Sequence, residues 1–118
     1  MYNVRDGAAD DLELHYRFLE ELVDRLSMTP MSSPVVMHGP KFKGQEIYPN
    51  KAGVSGWAPL IESGIQIHSI EPTHFITLDT YSCRWFDSQI VRKLADRTFN
   101  FEAYEEHFIE RGSKYVSH

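Results

Sequence analysis

Apolar residues recur at spacings of three and four in residues 10–28, at Leu12, Tyr16, Leu19, Leu22, Val23 and Leu26. That spacing places them on one face of a helix. Asp10 or Asp11 supplies the N-terminal cap. Thr29-Pro30 ends the element, because the residue before a proline is pushed out of the helical region. Between Met31 and Lys51 the periodicity is broken by Pro34, Gly39-Pro40, Gly44 and Pro49-Asn50. Only residues 35–38 read as a short strand there, and the rest reads as a long connecting loop.

Residues 54–61, 65–70 and 74–82 then read as three strands, linked by Glu62-Ser63-Gly64 and Glu71-Pro72-Thr73. Links this short favour antiparallel pairing. Successive side chains of a strand point to opposite faces. Ile65, Ile67, Ile76 and Leu78 therefore share one face, while Gln66, His68, Thr77, Asp79, Tyr81 and Cys83 share the other. The first face suits helices, and the second gathers histidine, aspartate and cysteine. Phe86-Asp87 opens a second helix, with Ile90, Val91, Leu94 and Phe99 on its buried side. Residues 101–111 include Glu102, Glu105 and Glu106, which permit a helix, but their aromatic content and the following Gly112 favour a last strand. This order predicts an α+β fold, a two-layer sandwich of an antiparallel β-sheet with two helices on one face.

A chain of 118 residues is expected to form one domain spanning 1–118. Its apolar stretches are too short to cross a bilayer, and Met1 is followed by Asn3, Arg5 and Asp6 in place of an apolar leader. A cytoplasmic protein with no membrane partner is expected. The formal charge of −5 leaves no basic stripe to neutralise phosphates, so no nucleic-acid partner is expected. The single cysteine, Cys83, excludes an intramolecular disulfide and is either a small buried hydrophobe or a reactive group.

Ser55, Ser63, His68 and Cys83 are the candidates for chemistry. Taken singly each has an ordinary reading: a strand serine, a turn serine, a hydrogen-bonded histidine on a sheet face, and a core cysteine. The spacing of His68, His74 and Cys83 matches no standard zinc pattern, so no metal site is expected.

Taken together they form a pattern. The stretch from Gly53 to His68 reads Gly-Val-Ser-Gly-Trp-Ala-Pro-Leu-Ile-Glu-Ser-Gly-Ile-Gln-Ile-His, and that from His74 to Cys83 reads His-Phe-Ile-Thr-Leu-Asp-Thr-Tyr-Ser-Cys. These resemble the processing segment and the cysteine-bearing strand of the bacterial and archaeal S-adenosylmethionine decarboxylases. The resemblance is strongest over residues 53–87 and extends through the first helix and Glu110-Arg111-Gly112. It implies a proenzyme that cuts itself between Glu62 and Ser63, with Ser63 becoming a pyruvoyl cofactor. Ser55 and His68 would assist the cut, and Cys83 would donate a proton in turnover. It further implies S-adenosylmethionine as substrate, a product used in spermidine biosynthesis, and a homodimer of processed protomers with active sites near the interface. A related pyruvoyl decarboxylase acting on arginine or ornithine, or an uncut non-enzymatic relative, are the alternatives.

The residue types suit this chemistry. A serine hydroxyl attacks the preceding carbonyl, a donor such as Ser55 steadies the oxyanion, and a neutral histidine takes the Cα proton. Gly64 gives the chain room for a tight conformation, and a strand break is expected there. A thiol with a pKa near neutrality is a suitable acid for a carbanion. Two departures stand out. After the histidine the family continues Thr-Trp-Pro-Glu, whereas this chain has Ser69-Ile70-Glu71-Pro72, which bears on recognition of the adenosyl group. The family begins with a full strand before the first helix, whereas only residues 1–4 are available here. Either the strand is curtailed or the chain starts late, and a shortened strand would leave one sheet edge incomplete.

Overall fold

The computed structural model describes residues 1–39 and 49–115. Four strands, β1 (Val35–Gly39), β2 (Gly53–Leu60), β3 (Ser63–Ile70) and β4 (Phe75–Ser82), form one sheet in chain order. All three neighbouring pairs are antiparallel. Two helices, α1 (Leu12–Arg25) and α2 (Ser88–Phe99), complete the predicted α+β sandwich. Phe18, Leu19 and Leu22 of α1 and Leu94, Ala95 and Phe99 of α2 meet Ala58, Ile65, Ile67 and Ile76 of the sheet in one core. The alternation expected of β3 and β4 holds: Ser55, Trp57, Gln66, His68, Thr77, Asp79 and Tyr81 lie exposed on the opposite face.

Helix α1 is shorter than its sequence pattern. Asp11 caps it by accepting from the Leu14 amide, while Asp10 belongs to a separate 3-10 turn, Ala8–Asp10. The helix stops before Thr29-Pro30 because Ser27 turns into the left-handed region at φ 53°. Arg84 then takes the carbonyls of Leu26 and Ser27. The buried stripe is also rotated relative to expectation. His15 and Phe18 point inward, whereas Leu12 and Tyr16 are only partly covered. Helix α2 begins where expected, with Asp87 as its cap. Its fully buried residues are Leu94, Ala95 and Phe99, and Ile90 and Val91 pack at the margin. Strand β1 confirms the short strand read at residues 35–38. The expected loop from Met31 to Lys51 otherwise falls largely on residues 40–48, outside the described residues.

The last strand expected at 101–111 does not form. Met1 and Ile76 exchange both backbone hydrogen bonds, and Val4 donates to the His74 carbonyl, so residues 1–4 occupy the free edge of β4. The later segment reaches only Tyr2, through a single bridge at Ala103, and beyond it finds no strand to pair with.

His15 is fully buried between α1 and the sheet. Its Nδ1 lies 2.7 Å from the Asp11 carbonyl and its Nε2 lies 2.6 Å from Ser69 Oγ. A carbonyl only accepts, so Nδ1 carries the hydrogen and Nε2 accepts from the Ser69 hydroxyl. Burial lowers the His15 pKa, against the pull of the Asp11 carbonyl and the nearby Asp10 and Asp11 carboxylates, and His38 adds to the lowering. An unfolded histidine takes its proton near pH ~6.5, before the folded one does. Stability is therefore expected to fall as pH drops below about 6.5 and to level off only below the folded pKa. Denaturant midpoints between pH 7.5 and 5.5 check this. His15→Gln should flatten the slope, and an unchanged slope in that variant would show that another group is responsible.

Candidate active site

Strands β2 and β3 are joined by Ile61 and Glu62 alone, with Leu60 paired to Ser63. Two-residue hairpins ordinarily place positive φ on the turn residues themselves, which is why glycine and asparagine favour them. Here neither Ile61 nor Glu62 has positive φ, and the unusual angle falls on Ser63, at φ 146°. A non-glycine residue in that region costs roughly 1–3 kcal/mol. The strain thus sits on the residue that carries the candidate nucleophile. The break expected at Gly64 is displaced by one residue. Gly64 stays in the ladder, paired with Pro59 and Tyr81, and has no positive φ. Its lack of a side chain matters for another reason, since a Cβ would stand 3.0 Å from Trp57 Nε1.

The Glu62 carbonyl, on the acyl side of the Glu62–Ser63 bond, accepts a hydrogen bond of 2.8 Å from the Cys83 amide. The Glu62 carboxylate accepts from the Thr29 amide at 2.9 Å and the Thr29 hydroxyl at 3.1 Å, and Arg84 Nε lies 3.8 Å away. The Thr29 amide does most to hold the Glu62 carboxyl below its usual pKa, with the Thr29 hydroxyl and Arg84 acting in the same direction. Cys83 follows the last residue of β4, and that residue, Ser82, lies directly across from Ser63. Cys83 is exposed and lines a cleft of about 730 Å³. Asp79, Tyr81, Trp85, Phe108 and Arg111 also line it, and the Arg111 guanidinium stacks 3.9 Å from the centre of the Tyr81 ring.

Ser55 and His68 are brought together elsewhere. They are cross-strand partners on the exposed face, with Ser55 Oγ 2.9 Å from His68 Nδ1. His68 lies five residues beyond Ser63 on β3, a separation of about 17 Å at the usual rise of a strand. The candidate residues therefore fall into two separate groups, Ser63 with Glu62 and Cys83 at one end of β3, and Ser55 with His68 at the other. Strand parity fixes the face of each residue but says nothing about position along the strand. His68 and Cys83 do not gather with His74. Among the described residues, the group with metal-ligand geometry is Asp6, Glu71 and His74 at the other end of β4.

Two residues escaped the sequence reading. Thr29 reads there only as a helix stop, and Arg84 carries no periodic signal. The one pointer to Arg84 is its position beside Cys83.

A search of curated protein sequences gives no significant match. Among solved structures, the fold is similar to that of the adenosylmethionine decarboxylase from Aquifex aeolicus VF5, with a TM-score of 0.66. That match has 22% sequence identity and covers 96% of this chain and 89% of the other. The sequence profile of the S-adenosylmethionine decarboxylase family matches residues 1–112, nearly the whole length, and the chain belongs to that family.

Proposed function

We propose that this protein is a pyruvoyl-dependent S-adenosylmethionine decarboxylase, made as a proenzyme that cuts itself between Glu62 and Ser63. The observation that carries this reading is the Glu62 carbonyl, gripped by the Cys83 amide immediately before a strained serine. The Ser63 hydroxyl attacks that carbonyl carbon, and the Glu62–Ser63 C–N bond breaks as an ester forms. The Cys83 N–H polarises the carbonyl and supports the charge that develops on its oxygen. A base then takes the Cα proton of Ser63. The ester C–O bond breaks, Glu62 leaves as a carboxylate, and a dehydroalanine remains at residue 63. Addition of water and loss of ammonia give a pyruvoyl group at the new N-terminus.

Position 63 suits such a group. It is half-covered at the start of β3 and anchored by pairing with β4, across from the residue that precedes Cys83. When present, the group supplies an electron sink for the bond pair released as carbon dioxide departs. Cys83, exposed on the cleft, returns a proton to the carbon that lost it. The aromatic walls Tyr81, Trp85 and Phe108 suit a flat base, and Asp79 and Glu110 suit a cationic sulfonium. The product would feed spermidine biosynthesis in the cytoplasm.

The base for the Cα proton is His68, reached from a second chain. A homodimer with two-fold symmetry lets each chain donate one half-site and receive the other, completing two sites. The exposed Met37 and Trp57 on the sheet face that carries Ser55 and His68 support that face as the pairing surface. An arginine or ornithine decarboxylase is the second reading, favoured by Ser69-Ile70-Glu71-Pro72 where the family has Thr-Trp-Pro-Glu, since Asp79 and Glu110 in the cleft would also suit a cationic side chain.

Intact-mass analysis tests the cut. Two chains, residues 1–62 and 63–118, with a pyruvoyl mass at residue 63, are expected. A lasting full-length chain would refute the reading. Carbon dioxide release from S-adenosylmethionine, arginine and ornithine then separates the two substrates.

A further inference from the structure

The Glu62 side chain takes no part in the bond changes above, yet it is among the most heavily tethered groups near the site. Thr29 donates to it through both its amide and its hydroxyl. The Thr29 carbonyl also receives the Ile61 amide at 2.9 Å, so one residue holds both the main chain and the side chain of the turn. Arg84 reaches the same carboxylate from the segment after β4, with Nε 3.8 Å from Oε2. Its Nη2 donates to the carbonyls of Leu26 and Ser27 at 2.9 and 2.7 Å. The backbone amide of Arg84 is fixed in turn by Ser82 Oγ. Arg84 therefore spans the C-terminal end of α1, the start of the segment after β4 and the β2–β3 turn.

These contacts fall unequally on the two sides of the Glu62–Ser63 bond. The acyl side is tied to the end of α1 through the Glu62 carboxylate and to Cys83 through the carbonyl. The amine side is tied to β4 through the Ser63–Ser82 pairing. Ser63, between them, takes up the mismatch as an unfavourable φ. If Glu62 were free to swing, the turn could relax and the carbonyl carbon would leave the reach of the Ser63 hydroxyl. Intramolecular attack is sensitive to displacements of an ångström or less.

On the self-cutting reading above, we propose that Thr29 and Arg84 form a clamp on the Glu62 carboxylate that holds the acyl side of the bond against strained Ser63 and thereby sets the rate of the cut. Neither residue touches the carbonyl or the hydroxyl that reacts, so both are positioning residues. The clamp transfers no atom. It acts only while Glu62 is ionised, the state its contacts favour.

The test is pulse-labelled cell-free synthesis followed by intact-mass timing of the cut, which needs no substrate and no turnover. Arg84→Ala and Glu62→Gln are expected to slow the cut by about tenfold to a hundredfold. Millimolar guanidinium should restore the rate of Arg84→Ala but not that of Glu62→Gln. Thr29→Val should slow the cut as well, and Thr29→Ser should return it. Rates within twofold of the unsubstituted chain in Arg84→Ala, Glu62→Gln and Thr29→Val would overturn the clamp. So would slow cutting in Arg84→Ala that guanidinium leaves unmoved. If Arg84→Ala does not fold, the contrast between Thr29→Val and Thr29→Ser decides. An unsubstituted chain that never cuts refutes the self-cutting reading itself, whereas normal cutting in that chain and in the variants removes the clamp alone.

Discussion

Ser63→Ala is expected to leave one uncut polypeptide with no release of carbon dioxide from S-adenosylmethionine. The substitution removes the hydroxyl proposed to attack the Glu62 carbonyl. Ser82, the nearest cross-strand hydroxyl, is occupied by the Arg84 amide and belongs to a different strand. The variant should nonetheless fold, because Ser63 contributes no buried packing and its ladder bonds are made by the main chain. It also keeps an intact Ser55–His68 pair. If that pair serves a second chain, an uncut Ser63→Ala protein should rescue a His68→Ala protein on mixing, since each lacks what the other supplies. Mass spectra of the mixture should then show cutting of the His68→Ala chain alone. Failure of both proteins to cut after mixing, with dimers demonstrably exchanged, would place the base within the chain that carries Ser63.

Cys83→Ala should separate the two reactions. Its main-chain amide, which any residue but proline provides, holds the Glu62 carbonyl. Removing the thiol leaves that bond in place, so mass analysis should show a normal cut. If the thiol is the proton donor proposed above, turnover should fall by about 10²–10⁴, the usual worth of a positioned acid. Uncut Cys83→Ala protein would mean that the sulfur acts earlier than turnover.

The sheet was legible in the sequence because its signal has period two and the strands are short and bounded by turns. Ile65 and Ile67 against Gln66 and His68 needed nothing more. Helix α1 was misphased at His15 because hydropathy does not count a histidine as an inward residue. What makes His15 inward is a pair of hydrogen bonds, one of them to Ser69 on the sheet. Residues 101–111 have strand-like composition, but the edge of β4 nearest them is already taken by residues 1–4. In the site, residue types were legible and their grouping was not. A three-residue link, Glu62-Ser63-Gly64, puts Ser55 out of register with His68. The actual link, Ile61 and Glu62, sets the two equally far from the turn and makes them partners. Thr29 and Arg84 approach the turn from elsewhere in the chain, and no local pattern foretells such contacts.

The β2–β3 turn also bears on how the protein comes to exist at all. A cut there assigns α1, β1 and β2 to one polypeptide and β3, β4 and α2 to another. The core does not respect that division: Phe18, Leu19 and Leu22 lie on one side of it, and Ile65, Ile67, Ile76 and Phe99 on the other. Before the cut, the turn keeps β2 and β3 at an effective concentration on the order of millimolar. Afterwards the two pieces stay together only through their shared interior and ladder. Once fully denatured, they must find each other by diffusion, at a rate that depends on dilution. On the self-cutting proposal, the molecule would assemble as a single chain and persist as a two-chain complex.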